Sequence, residues 1–186
     1  MKKLICAIVI SLTAMSSFGL LAETDTAAVT VKERDSQTVL YTLYRGDYAQ
    51  IGASIGKLFA LAGPKGIRPA GNVYLVYLNN PKLVSKEHWL TEIRVPVGED
   101  ALKLAGSLGE MTDVKKLQAV TVASIKKPIG VEDPSAIYKE LFDWIQKNGY
   151  ISIDGPMEEM KNQGPATSYS QMESVIMVPV QKIENQ

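Results

Sequence analysis

The chain predicts an α+β domain, an antiparallel-rich sheet carrying both of its helices on one face. Three observations carry this. The order strand, helix, strand, strand is read twice, over about residues 29–98 and again over 114–182. Two strands, EIRVPV and VIMVPV, close the halves on the same Val-Pro-Val. Each half holds one amphipathic helix followed by a glycine. With 186 residues, 46% of them hydrophobic, the chain suits one domain with a real core and is short for two.

Residues 1–22 read as a secretory signal peptide. Lys2 and Lys3 form a basic start, Leu4 to Leu12 an apolar run, and Ser16, Ser17 and Gly19 loosen the chain before cleavage near Ala22. The apolar run is short for a membrane span, so no stable anchor is expected after cleavage, and the mature protein is expected to be exported, in the periplasm. Losing Lys2 and Lys3 leaves 18 of the 20 basic residues against 20 acidic ones. Cys6, the sole cysteine, leaves as well, which removes any disulfide or thiolate chemistry. Balanced charge without a polybasic run argues against a nucleic-acid partner.

After a polar leader, Glu23 to Ala28, strands are expected at Val29–Arg34 and Thr38–Gly46, both rich in β-branched and aromatic residues. Gly46-Asp47 opens a helix to Ala62, whose Ile51, Ile55, Leu58, Phe59 and Ala62 recur at helical spacing. Strands follow at Asn72–Leu78 and His88–Val97, with Pro96 marking an edge or bulge. Gly98 to Asp113 is a connector with mild helical character, and Lys116–Lys126 a single strand. Asp133 is placed to cap a second helix, with Pro134 at its first position and Gly149 as its stop. Its buried stripe is Ile137, Leu141, Trp144 and Ile145. Short strands at Tyr150–Ile153 and Met157–Lys161, a turn at Gly164-Pro165 and a last strand at Met172–Val180 complete the pattern.

Little in the chain speaks of metal or cofactor chemistry. His88 is the only histidine and has no second ligand at metal spacing. Met157, Met160, Met172 and Met177 read as adaptable packing, and there is no glycine-rich phosphate loop or nucleophile elbow. No cofactor is expected. The residues that invite a functional reading are two adjacent acids, Glu158 and Glu159, and a set of aromatics, Tyr41, Tyr44, Tyr74, Tyr77 and Trp89. Alternation along a strand sends the two acids to opposite faces. Glu92, four residues before a closing proline, is a further candidate, with a salt bridge to Arg94 the competing reading; Glu173 is another.

The stretches YRGDYAQIGASIGKLF, TEIRVPV, LFDWIQKNGY with DGP, and VIMVPV occur in an order that resembles the GyrI-like small-molecule-binding domain, the effector-binding domain of AraC-type and MerR-type activators. The resemblance covers about residues 29–182. It implies a pseudo-twofold axis between the repeats, a ligand groove along their seam, and an acid in that groove. Matched to the family's motif, Glu159 keeps the acid and Pro165 the turn, while Lys161 stands where relatives often have tyrosine; in the first half Tyr77 keeps the aromatic and Leu75 replaces the acid. Glu159 and Lys161, two apart, share a strand face and can pair, which lowers the expected preference for a cation and leaves a zwitterionic or uncharged ligand open. The resulting expectation is an exported module binding a largely apolar small molecule, with Glu159, Tyr77, Lys161, Glu92, Glu173, Trp89, Tyr41 and Tyr44 at the site and Glu158 facing solvent. One alternative is a hydrolase of strained or electrophilic molecules with Glu159 as general base. The other is an envelope interaction protein whose groove is filled.

Overall fold

The computed structural model describes residues 28–161 and 171–184; the expected signal, Cys6, most of the leader and the Gly164-Pro165 turn lie outside them. Among these residues nine strands form the sheet: β1 (Thr30–Arg34), β2 (Gln37–Arg45), β3 (Tyr74–Tyr77), β4 (Leu90–Val97), β5 (Thr112–Leu117), β6 (Val120–Lys127), β7 (Tyr150–Ser152), β8 (Met157–Met160) and β9 (Ser174–Lys182). Helices α1 (Ile51–Ala62) and α2 (Ser135–Lys147) complete the domain. The strand order is β1-β6-β9-β8-β3-β4-β2-β5, with every pairing antiparallel and β7 joined to the end of β9. No helix among the described residues is long and apolar enough to cross a membrane.

This order is palindromic about its centre. β3 and β8 lie together in the middle, β4 and β9 flank them, and β2 and β6 come next. The numbering step that takes Pro96 to Pro179 also takes Leu58 to Leu141, and Gly66 to Gly149, left-handed at φ 71° and 69° where each half leaves its helical segment. It carries the β2–β4 register onto β6–β9 and the β3–β4 register onto β8–β9. The same step takes Leu75 to Glu158. Those two residues are cross-strand partners, so the local twofold passes between them.

Alternation along the strands sorts side chains onto two faces. On one, Leu58 and Ala62 of α1 pack over Leu40, Leu75, Ile93 and Val95, while Leu141 and Ile145 of α2 pack over Ala123, Ile125, Ile176 and Val178. Both helices therefore share a face. The other face carries Tyr74, Val76, Val122, Met157 and Met177. Arg34 of β1 stands 4.4 Å from the ring of Tyr74 on β3. On a flat sheet these strands, four steps apart, would be separated by roughly 19 Å. The sheet is curled, and this second face is its concave side.

Several boundaries differ from expectation for local reasons. The strand expected at Lys116–Lys126 is two, broken at Gln118-Ala119, because β5 pairs with β2 while β6 crosses to pair with β1 and β9. Tyr48–Gln50 is a single 3-10 turn before α1, Lys86–His88 another before β4, and the connector holds a third at Glu99–Leu104. Asp133 accepts the Ser135 amide at 2.9 Å, capping α2 from one residue further out than a regular N-cap, with Pro134 between. At Pro96 the β3 side of β4 has already ended, and the Ala70 amide donates to the Pro96 carbonyl at 2.7 Å. The last strand runs Ser174–Lys182, since β7 extends its pairing past Val180.

Candidate functional site

The local axis emerges on the helix face between α1 and α2, and Glu158 stands there with no exposed surface. A carboxylate in such a place needs donors, and two hydroxyls supply them. Tyr77 of β3 donates to Oε2 at 2.8 Å, and Ser174 of β9 donates to Oε1. Ser174 is in turn the cross-strand partner of Lys127, which is also fully buried and donates to the Met172 carbonyl at 2.6 Å. Burial pulls the Lys127 ammonium below the usual lysine range, and the nearby Glu158 charge only partly opposes this.

Four aromatic side chains cluster beside the carboxylate, through Tyr77 and Tyr138. Tyr48, from the 3-10 turn before α1, lies with its ring centre 4.3 Å from Trp89 and 5.3 Å from Tyr77. Tyr138, one turn into α2, is hydrogen-bonded to Tyr77; burial first, and the Glu158 charge second, hold its hydroxyl well above the usual phenol range. Burial also pushes Tyr48 up to about 12. The Tyr48 hydroxyl and the Thr91 hydroxyl are buried and have no hydrogen-bond partner among the described residues. Thr91 lies between Tyr44 and Tyr77 on the same face. The site is thus an aromatic seam with one carboxylate at its floor, a composition suited to an apolar body carrying positive charge.

The residues singled out from sequence divide between the two faces. Tyr77, Tyr44 and Trp89 stand on the helix side; Tyr44 donates to the Asp47 carbonyl at 2.7 Å, and the Trp89 indole to the carbonyls of Pro81 and Val84. Glu159, Lys161, Glu92 and Tyr41 stand on the concave side. Glu159 accepts Asn72 at 2.7 Å and pairs with Lys161 at 2.7 Å. Burial raises its pKa, but the hydrogen bonds from Lys161 and Asn72 and the charges of Lys161 and Arg34 prevail and leave it lowered. Glu92 pairs with Arg94 and with Lys115, the latter at 2.7 Å, and the Lys115 ammonium lies 4.1 Å from the Tyr41 ring. Glu173 is half-buried beside β9, and its carbonyl accepts the Lys161 amide at 2.9 Å.

The expected positions of the paired acids are therefore corrected. Glu158, read as a solvated edge charge, is the acid between the helices; Glu159 and its partner Lys161 are behind the sheet. Counting back from Pro165 equates Glu159 with Leu75, whereas the Val-Pro-Val strands and their registers equate Glu158 with Leu75. One residue of difference exchanges the faces of a strand. Glu158, Ser174, Lys127, Tyr48 and Tyr138 were not among the expected site residues. The signal for Glu158 lay in the two closing strands, EIRVPV and VIMVPV; for the others no sequence pattern stood out.

Residues 27–181 match the model of the GyrI-like small molecule binding domain. No curated protein sequence matches the chain. Among solved structures the fold is similar to the EcmrR C-terminal domain, at TM-score 0.69 and 16% identity, covering 84% of this chain and 99% of that one. It is similar to EcmrR in its complex with DNA, at TM-score 0.70 and 15% identity over 85% of this chain, which spans 59% of that longer protein. A hydrolase from Listeria innocua shares the fold at TM-score 0.62 and 9% identity, covering 84% of this chain and 93% of that one.

Proposed function

Because the chain belongs to the GyrI-like small-molecule-binding family, we propose that it takes a largely apolar, cationic small molecule into the seam between α1 and α2, with Glu158 as counter-charge. The observation that carries this reading is the fully buried Glu158 carboxylate beside the aromatic cluster of Tyr48, Tyr77, Trp89 and Tyr138. Lys161 was the reason to discount a cation, and it pairs with Glu159 on the other side of the sheet. Glu158 is buried and accepts bonds from both Tyr77 and Ser174, an arrangement that suits a fixed counter-charge and favours binding over hydrolysis. Since Glu158 is buried, a ligand enters by displacing part of the aromatic cluster. Tyr48 moves at least cost, because its hydroxyl has no bond to lose among the described residues.

The test compares isosteric aromatic ligands, neutral and quaternary ammonium, by calorimetry and Trp89 fluorescence. The cation is expected to bind more tightly, and Glu158→Gln to reduce that preference by about tenfold, the equivalent of about 1.4 kcal/mol. Glu159→Gln leaves it unchanged. Equal loss in the two variants, or no preference for the cation, refutes the proposal. We propose in addition that the protein acts after export, with its amino-terminal segment cleaved near Ala22. Intact mass and amino-terminal sequence of the protein from a fractionated cell check this; an uncleaved chain in the cytoplasm refutes it.

A further inference from the structure

β7 pairs only with β9, so one of its edges is open among the described residues. Its bonds to β9 run through odd-numbered residues: Ile153 donates to the Pro179 carbonyl at 3.0 Å, and Gly149 accepts the Ile183 amide at 2.9 Å. In an antiparallel ladder the bonding direction alternates, so Tyr150 and Ser152 turn their N–H and C=O groups to the open side. The side chains alternate as well. Tyr150 packs inward against Trp144, with ring centres 6.0 Å apart and the Lys182 ammonium 4.5 Å above it. Ile151, Ile153 and Ile183 face outward and are 48%, 51% and 49% exposed. No charge or proline interrupts Tyr150–Ile153, although open edges are commonly guarded by one. The flanks differ in sign: exposed Lys147 precedes the strand and exposed Asp154 follows it.

We propose that β7 is a self-pairing surface, docking antiparallel on β7 of a second copy of this chain about a twofold axis at Ile151. In that register Tyr150 and the partner subunit's Ser152 exchange hydrogen bonds, and the symmetric pair does the same. Ile151 meets the partner subunit's Ile151 in the close, non-hydrogen-bonded position, where side chains contact most directly. Asp154 then comes beside Asn148 of the partner subunit and within reach of the partner's Lys147. Because both flanking charges find opposite charges only when the strands run antiparallel, the strip is complementary to itself, as an isologous interface requires.

Sedimentation velocity of the purified protein from about 1 to about 500 µM should show a dimer forming with concentration, in the range of modest interfaces. Ile151→Lys, which sets like charges face to face at the axis, should weaken it at least about tenfold. Ile129→Lys, at another exposed site, should not. With Cys6 replaced by Ser, Ile151→Cys should form a covalent dimer under mild oxidant and Ile153→Cys should not, because Ile153 faces the partner's Gly149. A monomer at every concentration, a dimer indifferent to Ile151→Lys, or crosslinking at 153 in place of 151 overturns the proposal. So does a monomeric protein that accepts an extended peptide of another chain at this edge.

Discussion

The two neighbouring acids of β8 should respond very differently to the same one-atom change. Glu158→Gln keeps the shape of the side chain but replaces a charged acceptor of two hydroxyl bonds with an amide. Hydrogen bonds to a charged group contribute about 1.5–3 kcal/mol and neutral ones about 0.5–1.5, so the two bonds lose about 1 kcal/mol each. One hydroxyl must also turn round to accept from the new NH₂, and buried Lys127 loses a nearby opposite charge. The expected cost is about 2–4 kcal/mol, or a fall of roughly 4–16 °C in Tm. Glu159→Gln keeps its Asn72 bond and gives up an ion pair whose lysine side chain is 36% exposed. Solvent screening limits that loss to about 0.2–1 kcal/mol. Urea titrations at neutral pH, followed by tryptophan fluorescence, measure both. If Glu159→Gln costs as much as Glu158→Gln, the assignment of Glu158 to a sealed, charge-dependent position is wrong.

Three further outcomes follow from individual contacts. Glu159 has a lowered pKa in the folded protein, so its contribution is present above the unfolded value of about 4.3 and disappears as pH falls through the lower folded value. Urea midpoints from about pH 6 to about pH 3 should therefore fall more steeply in the wild type than in Glu159→Gln; parallel curves would contradict this. Tyr48→Phe removes a buried hydroxyl that has no partner among the described residues and should stabilise the domain by about 1 kcal/mol, whereas a loss of Tm would mean that the hydroxyl is bonded. Gly155→Ala would place a Cβ 2.8 Å from the Tyr77 carbonyl oxygen, a backbone atom that cannot swing away. It should cost about 1–3 kcal/mol by thermal melt, and an unchanged Tm would show that β3 and the Gly155 turn separate freely.

Much of the fold was legible because burial follows period. Leu58 and Ala62 in one half, and Leu141 and Ile145 in the other, recur at helical spacing and are the residues the sheet buries. Tertiary pairing was less visible. Nothing in KLQAVTVASIK marks Gln118-Ala119 as the place where the chain leaves β2 for β9, since that choice depends on partners distant in sequence. The candidate site suffered from the same limit in a sharper form. Two adjacent glutamates differ only by register, and register is set by strands that pair across the sheet. Tyr48 and Tyr138 were harder still: each belongs to the site because α1 and α2 approach one another, a relation no local pattern encodes.

The position of Glu158 beside the local axis has a consequence for how the two halves of the chain can differ. Any residue at that spot faces its own counterpart across a single strand boundary. Were Leu75 also an acid, two carboxylates would meet in a place without solvent, and one would be forced to keep its proton. Only one of the two positions can hold a charge at a time. The centre of this domain therefore offers one charged seat per chain, however closely its halves agree elsewhere.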